Sequence, residues 1–360
     1  MPDGGGSIES GGKTADAPAE KPLPLWYGAV AMTTFILANI GLTEFNSWAL
    51  KADEWPGFHF SFFYTMFHAL VGCAVSYGLS VCVVKPELGP PTLEQLWKYK
   101  NAMIPLAMCT VINNGLNNAS LSMVSLFVNQ SIKAILPLPA MILSCLLAGK
   151  RYGPPIIITV LSLCVGSVLA SYYKISSSSS SSSFIGVILC SCSMLGGSAR
   201  PVISMMVMKD SPTHPKLSPT VLMCYDSGLS FLMMLFLWAV SPQERSESIA
   251  YLGDSKTTAI GIMIICIGAG IAFFFNLSQF LTVKFTSALT VTIASGVVKI
   301  ILLIASAMQV GLSDPISWSG VGIVLVAIVA YSYLAYTESQ QPKPSSEKSP
   351  SEKTPLNVKA

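Results

Sequence analysis

Two lysines, Lys133 and Lys299, interrupt long apolar stretches that have the length of membrane helices. A charge at the bilayer centre costs roughly 2.5–3.5 kcal/mol on an insertion scale, so two cost about 5–7 kcal/mol. A chain keeps such residues where they face a partner, a cavity or a substrate. One lysine falls in each half of the chain, near the middle of its segment, which predicts one central site for an anion. Ser122, Ser125, Asn129 and Lys133 share a helical face, with Gln130 beside it. Thr292, Ser295, Gly296, Lys299 and Ser306 do the same in the second half. Small polar residues also serve close helix packing, and an internal ion pair would also satisfy a buried lysine.

Further polar groups fall inside apolar segments. Asn113, Asn114, Asn117 and Asn118 crowd little more than one turn. They could hydrogen-bond a sugar or a base, or only tie helices together. Arg200, Asp226 and His68 are also embedded, and Tyr225 joins the candidate binding side chains. Asp226 could pair with any of the three cations. Lys133, Arg200 and Lys299 outnumber it, which favours an anionic ligand. His68 reads as a structural hydrogen-bonding residue.

The elements that position these residues follow from composition. Of 360 residues, 52% are apolar and only 11% are charged. A soluble domain carries about 25% charge, so an all-α membrane protein is expected. Ten apolar segments run at 25–45, 59–84, 103–119, 121–147, 155–173, 184–208, 217–240, 258–281, 286–309 and 316–336. Ten spans place both tails on one side. Loops on that side hold eight lysines and arginines (Lys85, Lys98, Lys100, Lys150, Arg151, Lys209, Lys216, Lys284) against four opposite (Lys51, Lys174, Arg245, Lys256). The positive-inside rule then makes both termini cytosolic.

Five spans per half means that the halves enter the membrane in opposite directions. Two inverted five-helix repeats, about 25–173 and 184–336, would flank a Ser-rich loop at 174–183. This is a frequent plan of secondary transporters with a midplane site. The tails, 1–24 and 337–360, are polar and read as disordered. Residues 1–24 have the composition of neither a transit nor a signal peptide. The serine tract Ser176 to Ser183 reads as a low-complexity linker.

Several function classes find no support. All nine cysteines fall in apolar segments, against a disulfide framework or a metal site. No G-x-x-x-x-G-K-[ST] loop and no G-x-S-x-G elbow occurs. No enzyme constellation, cofactor or nucleic-acid partner is expected.

The chain resembles the triose-phosphate/nucleotide-sugar translocators of the drug/metabolite transporter superfamily. The likeness rests on Asn118-Ala-Ser-Leu, then Ser125-Leu-Phe-Val-Asn-Gln-Ser-Ile-Lys133-Ala-Ile-Leu-Pro137, and on Thr286-Ser-Ala-Leu-Thr290 with Gly296-Val-Val-Lys299. Thr65-Met-Phe-His68 and Ser198-Ala-Arg200 are similar to two further family motifs. The resemblance implies a ten-helix antiporter working by alternating access. It exchanges a nucleotide sugar for a nucleoside monophosphate, or a sugar phosphate for phosphate, with Lys133 and Lys299 on phosphate oxygens. Around them the expected secondary set is Ser125, Asn129, Gln130, Asn117, Asn118, Thr292, Ser295, Gly296, Arg200 and Tyr225, whose amides and hydroxyls would select sugar and base. Plastid phosphate translocators place Lys-Arg where this chain has Lys299-Ile300. That departure makes a Golgi or ER nucleotide-sugar carrier the first expectation and a sugar-phosphate/phosphate antiporter the alternative. A non-transporting membrane interaction protein is the rival from another class. The sequence leaves a homodimer open.

Overall fold

Proline, serine and threonine mark where many of the helices begin. The computed structural model describes residues 25–51, 55–84, 89–148, 151–177, 181–208, 215–286 and 288–340. The helices are α1 (Leu25–Ala49), α2 (Ser61–Leu79), α3 (Leu93–Leu121), α4 (Leu126–Lys133), α5 (Pro137–Ala148) and α6 (Pro154–Ser177). They continue with α7 (Ser181–Val207), α8 (Pro219–Val240), α9 (Pro242–Gly253), α10 (Thr258–Phe285), α11 (Ala288–Gln309) and α12 (Pro315–Gln340). A wider π turn, Ser80–Val84, extends α2. Thr92 Oγ1 caps α3 by accepting from the Gln95 N–H at 3.1 Å, and Ser218 caps α8 ahead of Pro219. Both devices satisfy or remove N–H groups that the first turn leaves unpaired.

The protein is an all-α membrane protein; among the described residues no strand occurs. Among the described residues nine stretches are long and apolar enough to cross a bilayer, with the α4–α5 region contributing one. The tenth crossing is α3, whose 29 residues span about 43 Å. Its four clustered asparagines make it the least apolar of the ten expected segments.

The packing respects an exchange of the two halves. The first half is α1, α2, α3, α4–α5 and α6; the second is α7, α8, α10, α11 and α12. Exchanging them turns the α1–α10 pair into the α7–α3 pair, and both are extensive contacts. The α2–α10 pair turns into the α8–α3 pair in the same way. The pairs α2–α8, α6–α12 and α4–α11 map onto themselves. The lysine-bearing α4 and α11 therefore meet at the pseudo-twofold axis.

The expected segments shift in four places. The fourth span is two helices rather than one, and α3 starts ten residues earlier than the apolar pattern indicates. The polar 241–257 stretch contains α9, which caps α2: Glu244 Oε1 accepts from the backbone N–H groups of Phe62 and Phe63 at 2.7 and 2.9 Å. Burial pushes the Glu244 carboxyl above its usual range. The 174–183 loop is shorter than expected, because α6 reaches Ser177 and α7 starts at Ser181. Residues 178–180, both expected disordered tails except 337–340, and Lys85, Lys150 and Lys209 of the charge count lie outside the described residues.

Two close crossings fix the frame. Gly196 of α7 lies against the Cys109 carbonyl of α3, and Gly320 of α12 lies against the backbone of Gly166 and Ala170 in α6. A methyl group at either site meets backbone that cannot rotate away. Gly196→Ala and Gly320→Ala should each cost about 1–3 kcal/mol. Both should lower Tm in detergent, whereas Gly41→Ala, with no atom within 4 Å, should not.

Candidate functional site

Prolines break the fourth span beside its lysine. Pro137 has no N–H to offer the Lys133 carbonyl, so the α-helical ladder stops there. The turn tightens instead: Leu136 N–H donates to the Lys133 carbonyl at 3.1 Å and Ile135 N–H to that of Ile132 at 3.0 Å. Lys133 thus ends α4 rather than sitting inside a continuous helix, at the helix pole that favours a cation. Ser125 caps the other end, with the Val128 N–H 3.4 Å from its Oγ.

Lys133 lines a central cavity of about 90 Å³. The wall takes Asn39 and Asn46 from α1, Thr65 and His68 from α2, and Asn113, Asn114, Asn117 and Asn118 from α3. Arg200 of α7, Asp226 of α8, and Phe275 and Asn276 of α10 complete its polar end. Among the described residues no carboxylate pairs with Lys133 and no acceptor takes its protons.

Asp226 pairs with Arg200, and with neither lysine. Arg200 Nη2 donates to Asp226 Oδ2 at 3.0 Å and to Asn276 Oδ1 at 2.8 Å, and Nη1 donates to Gln279 Oε1 at 2.7 Å. Thr110 Oγ1 donates to Asp226 Oδ1 at 2.8 Å. Both charged partners are almost fully buried, at 2% and 1% exposure. Arg200 therefore carries its own counter-ion into the wall, and the uncompensated charge is the amine of Lys133.

Lys299 does not share that cavity. It lines a neighbouring crevice of about 20 Å³ with Thr292, Gly296, Tyr331 and Ser332. The wall across from it is Ala134, Leu136 and Pro137, the turn that follows Lys133. Its Nζ lies 3.4 Å from the Ser295 carbonyl, one turn back on α11. Lys133 and Lys299 are within electrostatic reach of each other, and Cys190 of α7 is near both. The two lysines expected at one central site line adjoining spaces on either side of the broken turn.

The other expected residues separate by place. Asn117 and Asn118 line the cavity. Asn129 stands behind it, donating to Asn117 Oδ1 at 3.2 Å, and Gln130 donates to Asn129 at 3.0 Å. Ser125 is a cap. Tyr225 is outside: its hydroxyl donates to Gln95 Oε1 at 2.6 Å and accepts from the Thr92 N–H at 2.8 Å, tying α8 to the start of α3. One residue along a helix is a turn of 100°, which carries Tyr225 away from the face that Asp226 presents. His68 packs edge-on against Tyr64, and its buried Nε2 has no partner among the described residues, so the expected structural hydrogen bond is not met at that atom.

Asn39, Asn46 and Thr110 line the cavity and Gln279 braces Arg200, and none of the four is among the expected residues. Their signal was present, since an amide inside an apolar span is costly for the same reason as a lysine.

Asp226→Leu would strand the Arg200 guanidinium and should cost about 3–5 kcal/mol. The double variant Arg200→Met/Asp226→Leu should recover much of that. Thermal unfolding of both variants in detergent checks the pair.

A model of the Triose-phosphate Transporter family matches residues 29–333. Curated relatives from Arabidopsis thaliana described as probable sugar phosphate/phosphate translocators align along most of the chain. One is 25% identical over 82% of this chain and 83% of its own. Another is 26% identical over 87% and 84%, and a third 25% over 91% and 87%. A solved crystal structure of a protein superposes with a TM-score of 0.52 at 10% identity, covering 86% of this chain and 98% of its own, which shows a shared fold alone. With its multi-pass helical fold and a match over most of its length, the chain belongs to the Triose-phosphate Transporter family, whose members are membrane transporters and not enzymes.

Proposed function

We infer that the protein is an antiporter that exchanges a phosphorylated sugar for inorganic phosphate at the cavity beside Lys133. The observation that carries this reading is the charge balance. Arg200 is neutralised by Asp226, while the Lys133 amine faces the cavity without a carboxylate. An anion supplies the missing charge through charge-assisted hydrogen bonds. The cavity volume of about 90 Å³ compares with ~300–1,000 Å³ for pockets that hold drug-sized ligands, which favours a small anion in this conformation. The Arabidopsis relatives' descriptions point the same way.

Exchange follows from the same charges. Without a ligand, Lys133 and Lys299 repel each other across the broken turn, so the empty carrier reorients poorly. A bound phosphate removes that cost. A second reading, a nucleotide sugar exchanged for a nucleoside monophosphate in the Golgi or ER membrane, is favoured by Ile300, which stands where a second cation would strengthen a phosphate site. The loop charge count assigns both termini to the cytosol; antibody access to a C-terminal epitope after selective plasma-membrane permeabilisation tests it.

Proteoliposomes loaded with phosphate should take up labelled glucose 6-phosphate, and empty vesicles should not. Uptake into empty vesicles would overturn obligate exchange. Uptake of UDP-glucose or GDP-mannose driven only by internal UMP or GMP would establish the second reading. Lys133→Ala should reduce exchange by about 10–100-fold, the worth of a hydrogen bond to a charged group, and Lys299→Ala should reduce it less, through loss of the second positive charge near the site. Full activity in either variant would remove that lysine from the site.

A further inference from the structure

The amides of the cavity wall do not all face the same way. Thr65 Oγ1 donates to the Ser61 carbonyl at 2.7 Å, so it must accept from Asn118 Nδ2 at 2.9 Å. That fixes Asn118 Oδ1 as the acceptor for Asn46 Nδ2 at 3.0 Å, and Asn46 Oδ1 as the acceptor for the Tyr64 hydroxyl at 2.8 Å. These two asparagines are consumed in tying α1, α2 and α3 together.

Asn114 and Asn117 differ. Asn114 Oδ1 is taken by Asn113 Nδ2 at 3.0 Å, and Asn117 Oδ1 by Asn129 Nδ2 at 3.2 Å. Their carbonyl oxygens are engaged, while their Nδ2 groups donate to no acceptor among the described residues. Residues three apart on a helix are neighbours on one face, and both line the cavity that holds Lys133. Asn129, which holds Asn117, lies one turn before Lys133 on α4. The result is a pair of oriented N–H donors beside a cation. Both side chains are half-buried, so these N–H groups open into the cavity, where a ligand acceptor can take the place of water.

We propose that Asn114 and Asn117 form the subsite for the non-phosphate end of the substrate, accepting a moiety rich in hydroxyl or carbonyl oxygens and rejecting an apolar one of equal length. This rests on the phosphate-exchange reading above. Lys133 serves every phosphate alike, and the amide pair decides which phosphate ester is carried in preference to inorganic phosphate.

The test uses the full chain in proteoliposomes and measures inhibition of phosphate–phosphate exchange by glycerol 3-phosphate and by n-propyl phosphate, which differ only in two hydroxyls. In the wild type glycerol 3-phosphate should inhibit about tenfold more strongly. Asn114→Leu and Asn117→Leu, near-isosteric and without donors, should each shrink that ratio towards one, whereas Lys133→Gln should weaken inhibition by both esters together. Equal inhibition by the two esters in the wild type overturns the proposal without any variant. An undiminished ratio in folded Asn114→Leu and Asn117→Leu also overturns it, while leaving phosphate exchange standing. Absence of phosphate exchange in the wild type overturns the underlying reading and this proposal with it.

Discussion

The structure depends on one constraint: inside a bilayer every charge and every backbone polar group must find a partner within the protein. Nearly all of the chain complies. Helices satisfy their own backbone, and hydroxyls of Thr65, Ser131, Ser171 and Thr282 turn back onto carbonyls one turn earlier. Arg200 brings Asp226, Asn276 and Gln279 with it. Lys133 is an exception, with no carboxylate partner among the described residues, and it stands at the break in its span. Had Pro137 been a residue with an N–H, the helix would have run on and placed the lysine on a continuous face. Instead the amine stands at a helix end over a cavity, ready for an anion.

The pseudo-twofold arrangement gives that exception a counterpart. Because α4 packs on α11 across the axis, the second lysine comes near the first without entering its chamber. The second half keeps its helix intact, so Lys299 remains against α11 beside the Ser295 carbonyl. The two halves therefore present one lysine on a broken helix and one on a whole helix. Such asymmetry between related repeats is what a carrier needs if only one side of a shared site is open at a time. The Gly196 and Gly320 crossings hold helix pairs whose members come from different halves, so they tie the two repeats together.

Buried polarity divides into what holds the fold and what remains for a ligand. The Arg200–Asp226 pair belongs to the first class by geometry, although the sequence placed Arg200 among the secondary binding residues. Asn46 and Asn118 belong there too, because each carbonyl and amide is spoken for. Asn114, Asn117 and Lys133 keep donors in hand. A cavity whose open groups are nearly all donors matches an acceptor-rich anion, which is the common chemistry of phosphorylated sugars and nucleotide sugars.

The sequence by itself determined the membrane class, the ten crossings and the placing of one lysine in each half, because hydropathy and the cost of buried charge are local properties of composition. It also carried the family, through Ser125 to Pro137 and Thr286 to Lys299. It could not decide which cation Asp226 neutralises, since Lys133, Arg200 and Lys299 are equivalent in type and only packing of α7 against α8 and α10 selects Arg200. It misplaced Tyr225, whose neighbour faces the cavity while it does not. It read the fourth span as one helix, because Pro137 and Pro139 tell of a kink or a break alike, and the surrounding helices choose between them. The direction of each asparagine amide is likewise a tertiary fact: it depends on which donor reaches each carbonyl from another helix, and that separates the groups that bind the protein to itself from those left to bind something else.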